Sequence, residues 1–381
     1  LDLPAGSSIA IIGKNSAHWL MADLAIWMAG HVSVPLYVTI SSESARYILE
    51  HCQVRLMFVG KLDGRSDSWN EVRQVVPPGL AMVGLPMSPN PSLLYWDALA
   101  ARHAPLQDVP LPAADALATI IYTSGTTGVP KGVMHSHGNL WTYSRLSAQF
   151  CAMTPQDRML SYLPLAHAAE RAFVEANAIC QGLHVFFNDC LETFGEDLRR
   201  ARPTLFISMP RLWTKFYQGV CAKLPLKKQK LLFALPLVSG RVKKKILALL
   251  GLDAVRMAFT GSAPLPPEII AWYRRLGLEL LDVYGMTENF CHSHLTQPGK
   301  VRLGYCGQPA AGVRCRIGED GEVLVKGPTL LQGYYKQPEL NAQSMTPDGY
   351  FRTGDRGEQD EMGRLKITGR VKELFKTSKG K

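Results

Sequence analysis

The sequence predicts an α/β fold of two mostly parallel α/β units followed by a small β subdomain. Three observations carry this. Short apolar runs alternate with helical segments over the first 60 residues, and the same alternation resumes near residue 156. From about residue 300, short strand-like runs joined by Gly and Asp turns replace it. A chain of 381 residues and 42.1 kDa has room for two domains, or three.

The elements follow in order. SSIAIIG reads as a strand ending in a Gly turn, and NSAHWLMADLAIWMAG as a helix with Asn15 as its N-cap. HVSVPLYV is a second strand, SESARYILEHC a second helix and VRLMFVG a third strand. Residues 77–115, rich in Pro, Ala and Ser, predict irregular surface structure with one short helix. ALATIIYTSG returns to strand and runs into a glycine-rich loop, after which HGNLWTYSRLSAQFCAM is helical. RMLSYLPL, HVFFN, PTLFISMP and AVRMAFTG continue the strands of a second unit. The helix PPEIIAWYRRLG has Pro267 in its first turn and Gly277 as its stop, and LELLDVYG follows as a strand. The expected divisions are 1–155, 156–295 and 296–369, with 370–381 beginning something further.

Composition excludes several classes. Hydrophobic residues make up 46% and charged residues 19%, with mean hydropathy -0.02, so the chain is neither disordered, a coiled coil nor a collagen. The best uncharged candidate for a span, Leu24 to Ser42, is interrupted by Gly30, His31 and Pro35 and does not read as a membrane span. The opening LDLPAGSS lacks Met, a basic region and an apolar region, so no export signal is read and the chain is expected to begin partway into a gene product. Eight scattered cysteines without a CxxC pair predict reduced, mostly buried thiols and a cytoplasmic location. Cys291, His292 and His294 do not have the spacing of a zinc site.

The charge is uneven. Lys and Arg total 42 against 32 Asp and Glu, a net charge of +10. No acid lies between Asp197 and Asp253, an interval with 13 Lys and Arg. Its densest part, KLPLKKQKLLFALPLVSGRVKKKILALL, interleaves lysines with Leu, Phe, Ile and Val. Three readings stand open: the solvated face of ordinary helices, peripheral contact with an anionic membrane, and an acidic ligand or partner. Nucleic acid finds no stacking platform or recognition motif.

The sharpest motif spans Thr123, Ser124, Gly125, Thr126, Thr127, Gly128, Val129, Pro130 and Lys131, directly after the strand ATIIY. Glycines leave backbone N–H groups exposed, and hydroxyls and a lysine add donors, which together make a polyphosphate cradle. It is not a Walker A loop, because Pro130 precedes Lys131 and no Ser or Thr follows it.

YTSGTTGVPKGV resembles the signature of the acyl-adenylate-forming (AMP-binding) superfamily. LPLAHAAER (163–171), GSAPL (261–265), YGMTE (284–288), YFRTGD (350–355) and GRVKELFKTSKGK (369–381) match in the same order, so the resemblance covers essentially the whole chain. LPLAHAAER with YGMTE looks most like the long-chain fatty acyl-CoA synthetase branch. The resemblance implies the large N-terminal part of an adenylate-forming enzyme: two stacked, mostly parallel α/β subdomains and a small β-barrel-like subdomain.

It also implies a chemistry. ATP and a long-chain fatty acid would form an acyl-adenylate with Mg²⁺, and CoA would then displace AMP. By this resemblance Thr123, Ser124, Gly125, Thr126, Thr127, Gly128 and Lys131 would bind the nucleotide, with Ser124, Thr126, Thr127 and Lys131 holding the β- and γ-phosphates, and Glu288 would help hold Mg²⁺. Thr287 would contact the α-phosphate and Tyr284, next to Gly285, would stack on adenine. Gly261, Ser262 and Ala263 would let backbone approach adenine and the acyl carbonyl. Asp355, read as a turn residue, would accept the ribose hydroxyls, and Arg370 would reach the ribose and phosphate and begin a hinge. His167 would line the acyl side. Read without the resemblance, Tyr284 closes a strand, Glu288 caps a turn and His167 is satisfied by local backbone.

Members of this superfamily continue for roughly another hundred residues, so the chain is expected to stop short of a C-terminal domain and to be weak in adenylation alone. Two other readings stay open: a ligase that loads a carrier protein, and a catalytically silent nucleotide- or acyl-binding module. Oligomeric state is not legible.

Overall fold

Apolar runs too short for helices form the strands, and the amphipathic segments between them form helices. In the computed structural model, which describes residues 3–90, 93–123 and 129–371, the chain divides into two compact units. The first comprises Leu1–Ser144, Tyr162–Ala176 and Thr329–Ala342; the second comprises Arg145–Ser161, Asn177–Pro328 and Gln343–Lys381.

The first unit holds an eight-stranded sheet. Its strands are β1 (Ser8–Ile12), β2 (Val32–Leu36), β3 (Leu56–Val59), β4 (Ala81–Gly84), β5 (Leu94–Tyr95), β6 (Leu117–Thr123), β7 (Lys131–Ser136) and the short β17 (Gly333–Tyr334), in the order β17-β7-β6-β2-β1-β3-β4-β5. β1 to β6 run parallel, while β7 and β17 are antiparallel additions at one edge. The parallel strands read as continuous apolar runs because they are buried: Ile9 to Ile12, Val34, Leu36, Met57, Val59, Ile120 and Ile121 are almost wholly inaccessible. β2 meets β6 only at Ser33↔Thr119, and Pro35 two residues on has no N–H to extend that ladder.

Two expectations change here. The N-cap of the helix Ala17–Met28 is Ser16, whose side chain accepts from the Trp19 N–H at 3.2 Å, not Asn15. Asn15 faces elsewhere: its side-chain amide bonds the Leu163 carbonyl at 2.6 Å and the Leu165 N–H at 3.2 Å. The stretch 77–115 is less irregular than its composition predicts, because AMVG and LY add β4 and β5 at the sheet edge, followed by the short helix Trp96–Ala100. Runs of two to four residues are too short to show a period, and pairing with β3 decides them.

The second unit holds three sheets. β8 (Arg158–Ser161) pairs with β9 (His184–Phe187). β10 (Leu205–Ser208), β11 (Met257–Gly261) and β12 (Leu280–Tyr284) are parallel, and β13 (His294–Leu295) and β14 (Gln308–Pro309) extend them antiparallel. β15 (Arg314–Ile317), β16 (Glu322–Lys326), β18 (Phe351–Gln359) and β19 (Leu365–Arg370) form an antiparallel four-stranded sheet, the expected β region. The helix Pro267–Leu276 begins at Pro267 and stops at Gly277, whose φ of 92° is left-handed, as its sequence predicts. It buries Ile269, Ile270, Trp272, Tyr273 and Leu276 at its apolar spacing. The eight cysteines are all free thiols, and only Cys52 and Cys151 are fully buried, fewer than composition suggests.

Candidate functional site

In the second unit the ends of β12 and β19 converge on one carboxylate in the middle of β18. Tyr284 Oη donates to Asp355 Oδ2 at 2.6 Å, and Arg370 Nε lies 2.9 Å from Asp355 Oδ1. Asp355 and Arg370 face each other as register partners on β18 and β19. Asp355 is therefore a strand residue, not the turn residue its TGD context predicts; Gly354, at φ 70°, bends β18 beneath it. Its backbone N–H donates to Thr353 Oγ1 at 3.1 Å, and the Gly354 N–H donates to Glu322 Oε1 at 2.9 Å. Burial pushes the Asp355 carboxyl above its usual range, against the Tyr284 hydrogen bond and the Arg370 charge. Burial also pushes the Tyr284 hydroxyl well up, so it donates as neutral phenol.

Asp282 is a residue that sequence reasoning missed. It stands two residues before Tyr284 on β12, and so on the same face of the strand. Burial raises its carboxyl to about 7. The signal was an acid inside the apolar run LELLDVYG. His294, whose ring lies 5.9 Å from that of Tyr284, is held neutral by burial, which lowers it to about 3.

The residues after β11 and β12 are shaped by close approach. Ser262 adopts φ 70°, a left-handed conformation that L residues adopt rarely and that concentrates at functional sites. A Cβ on Gly261 would come within 2.9 Å of the Val283 carbonyl oxygen, and one on Gly285 within 2.6 Å of the Cys291 backbone. Ala263 follows in the same turn, and is exposed. Thr287 and Glu288 lie in the single turn Thr287–Asn289, with Thr287 buried and Glu288 half-buried. Asn289 Oδ1 caps that turn by accepting from the Met286 N–H at 2.9 Å.

In the first unit, β6 and β7 form a hairpin in which Thr123 and Lys131 are register partners. Both ends of the glycine-rich loop are thus pinned to one sheet edge. Ser124, Gly125, Thr126, Thr127 and Gly128 lie outside the described residues, as do residues 372–381. Lys131 Nζ lies 5.7 Å from the centre of the Tyr334 ring.

His167 is the N-cap of the turn Ala168–Glu170: its Nδ1 accepts from the Ala169 N–H at 3.0 Å. Burial lowers its pKa, so the ring is neutral and its proton sits on Nε2. Glu170 Oε1 accepts from the Tyr162 N–H at 3.1 Å, which ties the LPLAHAAER loop at its other end. Arg171 opens a π-helical segment, Arg171–Ala176, and is wholly buried. Its guanidinium bonds Asp23 at 2.7 Å, approaches Glu175 at 3.4 Å, and lies 5.4 and 5.7 Å from the Trp19 and Trp27 rings. Burial pushes Glu175 well above the carboxylate range, which leaves Asp23 to balance Arg171. Arg171 is a structural residue of this motif.

The AMP-binding enzyme family model matches residues 1–335. The chain belongs to the AMP-binding enzyme family. Peroxisomal long chain acyl-CoA synthetase 6 of Arabidopsis thaliana is 33% identical over 99% of this chain and 60% of its own length. Long-chain-fatty-acid--CoA ligase 6 of Rattus norvegicus is 31% identical over 98% of this chain and 60% of its own. The chain thus spans about 60% of the length of these curated relatives. The ATP-bound crystal structure of MatB from Rhodopseudomonas palustris is 25% identical, with a TM-score of 0.74, covering 97% of this chain and 69% of that one. The long-chain branch indicated by the sequence motifs agrees with the two curated relatives.

Proposed function

We propose that this chain is the nucleotide-binding part of an AMP-forming ligase that activates a long-chain fatty acid and passes the acyl group to CoA. The observation that carries this is the Tyr284–Asp355–Arg370 cluster in a member of the AMP-binding family. Tyr284 and Arg370 each engage one oxygen of Asp355, and a carboxylate has further lone pairs that can accept the two ribose hydroxyls. The Tyr284 ring offers a face for adenine. Asp282, on the same strand face, offers an acceptor for an exocyclic amine.

In the first half-reaction a fatty carboxylate oxygen attacks the α-phosphorus of ATP, the bond to the bridging oxygen breaks and pyrophosphate leaves. Thr123, Ser124, Gly125, Thr126, Thr127, Gly128 and Lys131 would neutralise the charge that develops on that leaving group. Thr287 would contact the α-phosphate. Gly261, Ser262, Ala263 and Gly285 would let backbone approach the base and the acyl carbonyl. The neutral His167 would present its Nε2 proton to the acyl carboxylate. Arg370 would reach the ribose and phosphate. In the second half-reaction the CoA thiol gives up its proton, its sulfur attacks the acyl carbon and AMP leaves.

Among the described residues no group of three His, Cys, Asp or Glu could hold a metal. Glu288, half-buried in the turn Thr287–Asn289, would be the single carboxylate on a Mg²⁺ whose other ligands are phosphate oxygens. When bound it would withdraw charge from the phosphates. Long-chain acids partition into lipid, so the reading includes a cytoplasmic protein in peripheral contact with a membrane.

Calorimetry of the chain with AMP, and acid-dependent ATP–pyrophosphate exchange by the ligase of which it is proposed to be part, test the proposal. AMP should bind, and exchange should require a long-chain acid. A preference for short or aromatic acids, or AMP binding indifferent to Asp355, overturns it.

A further inference from the structure

We propose that the helices Leu226–Ala234 and Pro236–Leu249 dock this chain on an anionic lipid surface, with the apolar corner between them entering the interface. This deepens the membrane contact included in the ligase reading by naming the surface that makes it, and its test is separate from the test of nucleotide binding.

The two helices pack on each other and are joined through Leu235 alone. Their inner side is fixed. Gln229 is buried, its side-chain amide donates to the Leu224 carbonyl at 2.7 Å, and its Oε1 accepts from Trp272 Nε1 at 2.7 Å. Ile246 is buried on the second helix, and Lys243 folds over the Phe233 ring at 5.4 Å. What remains faces outward.

The outward side is unlike the rest of the surface. Leu226, Leu231, Leu235, Leu237, Val238 and Leu249 are all exposed, Leu237 to 87% and Leu231 to 67%. Soluble surfaces scatter such side chains singly; a cluster needs an explanation. Leu235, Leu237 and Val238 sit together at the corner. On the second helix Leu237, Arg241, Lys244, Lys245 and Leu249 recur at helical spacing, so they share one exposed face. Lys227, Lys228 and Lys230 are exposed on the first helix. Neither helix contains an acid. The packed helix Pro267–Leu276 brings Glu268 but also Arg274 and Arg275.

An apolar corner between two helices that both carry exposed cations has one matching environment. Lipid headgroups supply anions at the level of the lysines, and the acyl boundary below them accepts leucine. A nucleic acid would match the lysines and leave the leucines in water. No helix among the described residues is long and apolar enough to cross a membrane.

The test is flotation of the chain with phosphatidylcholine vesicles, with and without phosphatidylglycerol, at low and high salt. Anionic vesicles should bind the chain and neutral ones should not, and salt should release it. Replacing Lys227, Lys228, Lys230, Lys244 and Lys245 together by Gln should abolish the preference, at roughly fivefold per lysine. Leu235→Ser with Leu237→Ser should lower binding about tenfold or more while keeping the salt response. Melting temperature checks that each variant folds. Equal binding to both vesicle types, or variants that bind like the parent, overturns the proposal. So does a folded chain that self-associates through this corner in the absence of lipid. Vesicle binding without AMP binding supports the proposal and overturns the ligase reading instead.

Discussion

Tyr284 holds Asp355 across 2.6 Å, and so ties the end of a parallel strand to the middle of an antiparallel one. The two residues are 71 positions apart in the chain. The contact spends the Tyr284 hydroxyl and one Asp355 oxygen, and it fixes the direction in which the remaining lone pairs point. Arg370, more than half exposed, holds the other oxygen from the neighbouring strand. A carboxylate held in this way is pre-set as an acceptor before any ligand arrives.

Asp355→Ala should therefore weaken AMP binding by about 1–3 kcal/mol, the range for charged hydrogen bonds. Tyr284→Phe keeps the ring and removes the hydrogen bond, and should cost about 1 kcal/mol. Titration calorimetry measures both. Unchanged AMP affinity in the alanine variant would remove Asp355 from the nucleotide site.

His167 caps the turn Ala168–Glu170, and its proposed contact with the acyl carboxylate can be separated from that role. His167→Ala loses the N-cap and should destabilise the chain by about 1 kcal/mol in urea unfolding. His167→Asn keeps a good cap, so stability should be retained, while the Nε2 donor is lost. If acyl-adenylate formation in the asparagine variant equals that of the parent, His167 is a cap and nothing more.

Arg171 balances a charge in a dry interior. Arg171→Met should destabilise the fold by about 3–5 kcal/mol, because Asp23 is left buried without its partner. Adding Asp23→Leu should recover part of that loss. Denaturant midpoints of the single and double variants decide it; a single variant as stable as the parent would show that Asp23 finds another partner.

Asp282 makes stability depend on pH. Its carboxyl, raised to about 7, holds a proton more tightly in the folded chain than in the unfolded one. The associated stabilisation is complete below about pH 4 and is lost as pH rises through about 7. Asp282→Asn should remove that dependence. Unfolding free energies at about pH 5 and about pH 8 should therefore differ less in the variant than in the parent. Equal differences in both would place the Asp282 carboxylate in water.

Part of the candidate site is legible in the sequence. YGMTE and TGD carry Tyr284 and Asp355, which the structure brings together, and the Pro267 and Gly277 helix signals are local enough to read. Asn15 and Ser16 show the limit. Both are good N-caps, and only the distant Leu163 and Leu165 backbone, which claims Asn15, leaves the cap to Ser16. β4 and β5 were hidden for a related reason: too few residues carry a period, and a neighbouring strand supplies the order.

The alternation of strand and helix, the switch to short antiparallel strands after residue 300, the family and the run of 13 cations without an acid are all written in the linear order of residues. These are properties of composition and near-neighbour spacing. Three-dimensional packing makes Asp355 a strand residue held by Tyr284, buries Arg171 beside the Trp19 and Trp27 rings, and leaves the leucines beside the lysines exposed. Each of these depends on burial and on partners dozens of residues away, and one-dimensional spacing carries neither.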